Sequence, residues 1–565
     1  AKEINYNTLC ILGGPEFPAG TGARKIKDNE FDNSYTKTLN YLLERPSVDY
    51  FSYSDGEVTF PEIIKKFVEN KFSVKDLKES GEPIDGCANI YRNKLLVGKY
   101  VSRIGMDGSV KTQGRDIVPS PYLTGMLDKF LDGTNIPAFE TDRGCPFQCT
   151  FCDQGLDQSK ITAFSTKRMS EEMMYVGKKM SKLKDGTQTA SIFNSNFGMY
   201  QKDIDLADEI LKVIEKHDWP KFIEALTPKS NWNNSLIIND KLKNRLALGL
   251  SMQSLNLETL DNIKRKNWTI DQYIDFIKEM EKRGKSPASE IIIPLPNETE
   301  ETYFEGIKFL MDHNVQVGTY TLMMLVGAEL GRDYAIKKYE MKSKFRILPR
   351  QFGEYKNSKL FEIEQICVGT NTMNFESYLK CRNFSFIVKV LNNKIFSPVY
   401  KLLKQYNVRW FDFCLAVFNT VKEDQHKSKF KDLYEEFCKE SNNELFDSKS
   451  EAIDFYSKPE NYEDLKKGIV GENLLGKYNA QSLFALDDII SVLFYVIKNK
   501  LSLKIDKKTD LILNSSEKWL KNLYIIDAIF DDSIGIKEDF NIDLDFDFPS
   551  WVMNNNKPAK DFINF

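Results

Sequence analysis

The sequence predicts an α/β chain in three parts. These are the later part of a parallel α/β domain (1–118), a partial (β/α)6 barrel of the TIM type (137–352) behind a linker (119–136), and a mainly helical region (353–565). Three observations predict it. Short apolar runs that end in Gly-Gly or Asp-Gly alternate with amphipathic stretches at the start. Six strand-then-helix patterns follow one another from Ala138. Beyond about Phe352 the strand signal fades and helical periodicity takes over. With 565 residues the chain has room for about three to five domains.

In the first part, Asn7 to Leu12 (NTLCIL) reads as a strand ending in Gly13-Gly14-Pro15, and Val48 to Tyr53 as a second ending in Asp55-Gly56-Glu57. Tyr35 to Glu44 and Phe60 to Asn70 read as helices, with Pro61 in the first turn of the second. Two strands make a poor sheet, so this domain is either very small or its start is missing, and the second is expected. Lys78 to Gln113 is polar and irregular, with a hairpin around Tyr91 to Val110. Asp116 to Gly125, with two prolines, reads as a connection. The barrel strands are expected at Ala138–Thr141, Thr189–Asn194, Phe222–Leu226, Leu246–Ser251, Ser289–Ile293 and Gln316–Met323. Helices are expected between them, at Met169–Leu183, Ile204–His217 and Ile270–Arg283 among others. In such a barrel the chemistry sits at the carboxyl ends of the strands.

Composition narrows the function classes. Lys+Arg is 78 and Asp+Glu 82, so there is no basic excess to hold a phosphate backbone, which argues against a nucleic-acid substrate. No apolar run reaches a membrane span; Ile489 to Ile497 is too short and reads as a buried helix. No signal peptide is visible. Nine cysteines at irregular spacing do not form a secreted disulfide framework. A protein of the reducing cytoplasm is expected.

Three of those cysteines fall within eight residues: Glu140-Thr-Asp-Arg-Gly-Cys145-Pro-Phe-Gln-Cys149-Thr-Phe-Cys152. The motif follows a strand, on a loop, where a barrel keeps its site. A four-iron cluster normally takes four thiolates; three leave one iron open to a small molecule. The alternative on residues alone is a zinc knuckle, but structural zinc needs four ligands. The histidines are His217, His313 and His426, none near the loop, and there is no second Cys pair. Cys10, Cys87, Cys367, Cys381, Cys414 and Cys438 are isolated and expected to be inert.

The spacing C-x3-C-x2-C, with Phe151 before the last cysteine, resembles the radical S-adenosylmethionine superfamily. The lead-in from Glu140 resembles those members that carry an N-terminal cobalamin-binding domain, the tryptophan C-methylating branch among them. The resemblance covers about residues 5 to 375. It implies that Cys145, Cys149 and Cys152 ligate a 4Fe–4S cluster whose open iron binds the amine and carboxylate of S-adenosylmethionine. Asn194-Ser195-Asn196-Phe197-Gly198 resembles the family's Asp-Ala-Asn-Phe-Gly at the second strand end, with Asn in place of Asp at 194; it also reads as a polar turn. Leu248 to Asn256 resembles the fourth strand, so Gln253 and Ser254 are expected at the cofactor. Phe151, Asn194, Asn196 and Lys229 complete the expected S-adenosylmethionine set, although Lys229 reads equally as a surface residue. Lys264-Arg265-Lys266 reads better as a solvated helix face than as the family's basic helix end. In Glu290 to Thr299, Pro294 and Asn297 stand where the family's Gly-Leu-Pro-Gly-Glu-Thr turn has glycines.

The first part resembles the end of a cobalamin-binding Rossmann domain. Gly13, Gly14, Pro15, Gly56, Glu57 and Tyr122 are the residues this implies for cobalamin; a structural Rossmann remnant is the alternative. No Asp-x-His-x-x-Gly segment is present, so the lower cobalt face is expected without a histidine. The implied function is cobalamin-dependent methylation of an unactivated carbon, or phosphorus, of a small molecule. An external electron donor such as flavodoxin or ferredoxin and a monomeric state go with it. A non-methylating rearrangement or oxidation is the first alternative. A non-enzymatic metal-binding protein and RNA or protein methylthiolation are lesser ones; the last needs further N-terminal cysteines, and the region offers only Cys10 and Cys87.

Overall fold

The computed structural model describes residues 2, 5–14, 17, 34–99, 101, 114–154, 161–229, 231–356, 358–423, 427–523, 526, 542–553 and 558–563. It is a mixed α/β protein with two compact units. Unit one comprises Ala1–Met252, Leu257–Ala288 and Met323–Met341. Unit two comprises Gln253–Asn256, Ser289–Leu322 and Lys342–Phe565.

Unit one opens with a four-stranded sheet. β1 (Ile11–Gly13) runs parallel to β2 (Tyr50–Ser52), with helix α1 (Ser34–Leu43) between them in sequence. After α2 (Gly56–Glu69) and α3 (Val74–Glu79) the chain returns as the hairpin β3 (Cys87–Tyr91) and β4 (Lys94–Val97), antiparallel to β2. The sheet thus gains two strands from downstream, β3 and β4. The expected hairpin lies earlier and is tighter, turning at Arg92-Asn93, both at positive φ (47° and 61°), the geometry a two-residue turn demands. Residues 102–110 of the expected hairpin lie outside the described residues. α2 begins four residues before the expected start, after Asp55, so Pro61 lies inside it rather than in its first turn. Phe17, Leu42, Phe51, Tyr53 and Ala88 close the core on one face of this sheet.

The next elements of unit one carry the cysteines. β5 (Ala138–Glu140), β8 (Thr189–Phe193) and β9 (Phe222–Ala225) form a parallel sheet in the order β5-β8-β9. Between β5 and β8 lie the two-residue strands β6 (Asp142–Arg143) and β7 (Thr162–Ala163), paired antiparallel, and helix α4 (Thr166–Met180). Ser165 caps α4 by accepting from Arg168 N at 3.1 Å, a cap typically worth ~1 kcal/mol. α5 (Gln201–His217) joins β8 to β9, and α6 (Trp232–Lys241), α7 (Leu257–Asn262) and α8 (Ile270–Lys282) follow. The fourth expected strand, Leu246–Ser251, is extended but forms no ladder: its one bridge is Leu246 to Ile223. The Thr227 hydroxyl bonds the Gly249 carbonyl and takes an acceptor a ladder would use.

In unit two, β10 (Ala288–Ile293) and β11 (Gln316–Thr321) pair as a two-stranded sheet, with α9 (Glu300–Asp312) between them in sequence. A long antiparallel hairpin follows, β12 (Lys342–Tyr355) and β13 (Ser358–Gly369), where the sequence reading has the strand signal fading. β12 is bulged between Ile347 and Phe352, at a segment containing Pro349 and Arg350 (φ 62°). A proline and a positive-φ residue inside a strand erase its period-two signal. The rest of the described unit is helical. Leu474–Asn499 is long and apolar enough, by length and composition, to cross a membrane, which the sequence reading did not find. Half of that window is buried inside the protein, and Ile489, Ile490, Leu493, Phe494 and Ile497 lie in the core.

Candidate active site

The cysteine loop leaves from β6 and returns through β7, whose pairing of Asp142 with Ala163 and Arg143 with Thr162 brings its two ends together. Gly144 sits at φ 117°, where a side chain is strained, and starts the turn into Cys145. Cys149 is 6% exposed; Cys145 and Cys152 are half-buried. Cys152 N donates to Cys149 O at 3.1 Å, Thr150 N to Ile263 O at 3.1 Å, and Leu330 N to Thr150 O at 2.9 Å. The ligand turn is thus pinned on both sides by backbone.

Two polar side chains reach the thiols. Asn196 Nδ2 donates to Cys145 Sγ at 3.4 Å. Lys229 Nζ donates to Cys149 Sγ at 2.7 Å and stands 4.2 Å over the Phe147 ring. Lys229 is therefore at the loop, not on the surface. Burial, with help from Arg265, pulls its ammonium below the ordinary value against the attraction of the cysteines. Burial pushes the Cys152 thiol up to about 11, so its free thiolate is disfavoured and metal binding must displace the proton.

The donor set fits a four-iron cluster. It offers three thiols on one pinned loop, with an amide and an ammonium already aimed at two sulfurs. Among the described residues no three His, Cys, Asp or Glu side chains converge as they would on a single metal ion. A cluster does not require that, because each thiolate binds a different iron. Phe151 is half-buried beside Cys152.

Asn194 and Asn196, both buried, organise the end of β8. Asn194 Nδ2 donates to Thr141 Oγ1 and Asp142 Oδ2, each at 3.1 Å, and its Oδ1 accepts from Asn196 N at 2.8 Å. Asp142 is also ion-paired with Lys202. Burial raises the Asp142 carboxyl above its ordinary value, with Lys202 opposing. In unit two, Gln253 is 7% exposed at φ 65°, held by Gln253 N to Glu290 O (2.7 Å) and Ile292 N to Gln253 O (2.9 Å). Its Oε1 is buried with no hydrogen-bond partner among the described residues. Ser254 is fully engaged with the Glu298 carboxylate, and its Oγ accepts from Asn256 N at 3.0 Å. Arg265, read as part of a solvated face, is buried instead. Its guanidinium takes the Ser251 carbonyl and Asn267 Oδ1, since the interrupted fourth strand leaves Ser251 O to a side chain.

A cavity of about 810 Å³ opens within unit one. Gly14 and Ser52–Gly56 of the first sheet region line it, together with Asp142–Gly144, Ser191–Ser195 and Glu224–Leu226. Of the residues implied for cobalamin, Gly14 and Gly56 line this cavity, and a Cβ added at either meets nothing within 4 Å. Gly13 precedes them at the end of β1, and Pro15 lies outside the described residues. Glu57 and Tyr122 are engaged elsewhere. The Tyr122 hydroxyl bonds both Ala138 O (2.9 Å) and Ala138 N (3.1 Å), clamping β5. Glu57 joins an ion cluster. Arg115, with 0% side-chain exposure, pairs with Asp55 (3.2 Å) and Glu57 (3.0 Å), and Arg143 pairs with Asp55 (3.4 Å), Glu57 (3.1 Å) and Glu140 (2.7 Å). Burial would raise the Glu57 carboxyl, yet the Arg143 bond and charge hold it below its ordinary value. Sequence reasoning missed Asp142, Lys202, Arg115 and Arg143. The one signal available was the charged pair Asp142-Arg143 directly before the loop.

Residues 140–310 match the model of the Radical SAM superfamily. The chain is 24% identical over 406 residues to the cobalamin-dependent radical SAM methyltransferase TokK of Streptomyces tokunonensis. It is 23% identical over 406 residues to the 2-(S-pantetheinyl)-carbapenam-3-carboxylate methyltransferase of Streptantibioticus cattleyicolor. Each alignment covers 69% of this chain and 54% of the relative, so the chain spans about half the length of these curated relatives. A solved structure of the cobalamin-dependent S-adenosylmethionine radical enzyme OxsB, with aqua-cobalamin and S-adenosylmethionine bound, aligns at 12% identity and TM-score 0.43. That alignment covers 86% of this chain and 69% of that one. The likeness to the Radical SAM superfamily thus rests on residues 140–310 and the three-cysteine loop they contain.

Proposed function

We propose that this chain is a cobalamin-dependent radical S-adenosylmethionine methyltransferase acting on an unactivated carbon, or phosphorus, of a small molecule. One observation carries the reading: Gly144 and Gln154, on either side of the three cysteines, line the 810 Å³ cavity. Asp142, Arg143 and Gly144 line that cavity immediately before Cys145, and Gly14 and Ser52–Gly56 line it from the first sheet region. The names of the relatives support it. In this reading the six βα units form a partial barrel, preceded by a cobalamin-binding Rossmann-like part and followed by a mainly helical region.

When bound, the cluster and its nucleoside supply one-electron cleavage of a sulfonium, and cobalamin supplies a transferable methyl group. The chain's own residues hold and orient. Cys145, Cys149 and Cys152 hold three irons. Asn196 and Lys229 donate to two of those sulfurs and stabilise their negative charge. Gln253, in unit two, carries a buried acceptor with no hydrogen-bond partner among the described residues. An external one-electron donor completes the requirement.

The test is anaerobic reconstitution with iron and sulfide, then assays of corrin retention, S-adenosylmethionine cleavage and methylated product. The wild-type chain should hold about four irons, retain cobalamin and cleave S-adenosylmethionine. Cys145→Ala, Cys149→Ala and Cys152→Ala combined should lose iron and cleavage together. Near-full iron content in that triple variant would refute the cluster assignment.

A further inference from the structure

β8 and β9 end side by side. Their parallel register pairs Ile192 with Ala225, so Phe193 and Leu226 are the next residues out on neighbouring strands. Ile192, one residue back, is buried. Phe193 is 60% exposed and Leu226 69% exposed. Both line the 810 Å³ cavity. Two large apolar side chains left in water next to each other forgo the burial that normally places them in a core. Inside a concave site, such a pair marks a surface that a ligand covers.

The rest of the lining shows what kind of ligand. From the first sheet region come Gly14, Ser52, Ser54 and Gly56, small residues with open space over both glycines, beside Tyr53 and Asp55, while Glu140, Asp142, Arg143 and Glu224 add charge on the remaining wall. An apolar shelf in the same cavity as small, hydrogen-bonding backbone suits a flat ring with apolar faces and an amide-bearing rim. A corrin has that chemistry. A compact polar ligand such as a nucleotide phosphate would leave the shelf wet.

Resting on the cobalamin reading above, we propose that Phe193 and Leu226 form an apolar shelf that takes one face of the corrin ring. The shelf shields the space above the ring from water. It contributes affinity for the ring itself, independent of the nucleotide tail and of the cluster.

The experiment titrates the full-length chain with hydroxocobalamin and, separately, with cobinamide, which keeps the ring and lacks the nucleotide. Binding is read by equilibrium dialysis and by the corrin absorption shift, with iron content after reconstitution and the melting temperature as folding controls. Both positions are exposed, so polar replacement should leave the fold intact. Phe193→Ser with Leu226→Ser should weaken both ligands about tenfold or more, while Phe193→Leu with Leu226→Met stays within about threefold of wild type. Phe193→Ser alone should fall between. Unchanged affinity in the double serine variant, with wild-type binding intact, overturns the shelf and leaves the cobalamin reading standing. Absence of corrin binding by the wild-type chain overturns that reading, and the shelf's occupant with it.

Discussion

At the scale of single residues, position 194 shows how a departure from a family pattern becomes intelligible only in three dimensions. In sequence, Asn in place of Asp reads as a lost charge. In the structure the amide donates to Asp142 and Thr141 while accepting from Asn196 N, a set of roles a carboxylate cannot fill. Asn194→Asp would set a second carboxylate beside Asp142. We expect a loss of ~1–3 kcal/mol in unfolding free energy at neutral pH. Two adjacent carboxyls raise each other's folded-state proton affinity, so this loss should shrink as pH falls and one of them takes up a proton. Denaturant melts of both proteins across that range check it, and equal stability at neutral pH would count against the charge argument. The strand-end places of Asn196 and Lys229 were legible, but not that each donates to a cysteine sulfur. Asp142 was not, because its role depends on Asn194 and Lys202, distant in sequence and adjacent only after folding.

Elements fix these residues through buried polar clamps. Arg115 holds the start of α2 through Asp55 and Glu57, where the positive end of the helix dipole also favours acidic groups. Arg115→Ala would leave Asp55 and Glu57 sharing Arg143, and should cost ~1–3 kcal/mol in global or local unfolding free energy. Hydrogen exchange confined to α2 and β6 would show whether the loss is local. In unit two, Glu298 ties the Gln253–Asn256 turn through Ser254 and its own helix α9 through Thr302 Oγ1 at 2.5 Å. Burial raises its carboxyl above the ordinary value, against those two hydrogen bonds. The folded chain therefore keeps this proton longer than the unfolded one. That stabilisation is complete below the unfolded value and is lost as pH rises through the folded value. Glu298→Gln removes the titration, so the variant should gain on wild type as pH rises from the unfolded value of this carboxyl through its folded value. A pH-independent difference between the two would refute this. Strands β5, β8 and β9 and helices α5 and α8 were legible because their periods are regular. The fourth strand and β12 were not: Thr227 captures the ladder carbonyl of one, and a bulge with Pro349 interrupts the other.

At the scale of the whole molecule, composition and periodicity gave the α/β class and the strand-end position of the site, while the division into units cuts across sequence order. Unit one takes back Leu257–Ala288 and Met323–Met341 after the chain has passed through unit two. No local pattern announces that. The long hairpin of unit two earns its place through a separate apolar cluster: Ile347, Ile363, Phe446, Tyr456 and Leu465 pack together. Ile363→Ala should cost ~2–4 kcal/mol and lower the melting temperature of the full-length chain. Iron content after reconstitution should stay at the wild-type level, since unit one holds all three thiols. Loss of iron in this variant would show that the two units are not independent in stability.

The hydrogen bond from Leu330 N to Thr150 O has a consequence for synthesis. A ribosome delivers the three cysteines before either backbone pin on their turn, and the Leu330 pin comes from a segment made nearly two hundred residues later. The nascent chain therefore carries its ligand loop without either pin until Ile263 is made, and with only the Ile263 pin until Leu330 follows.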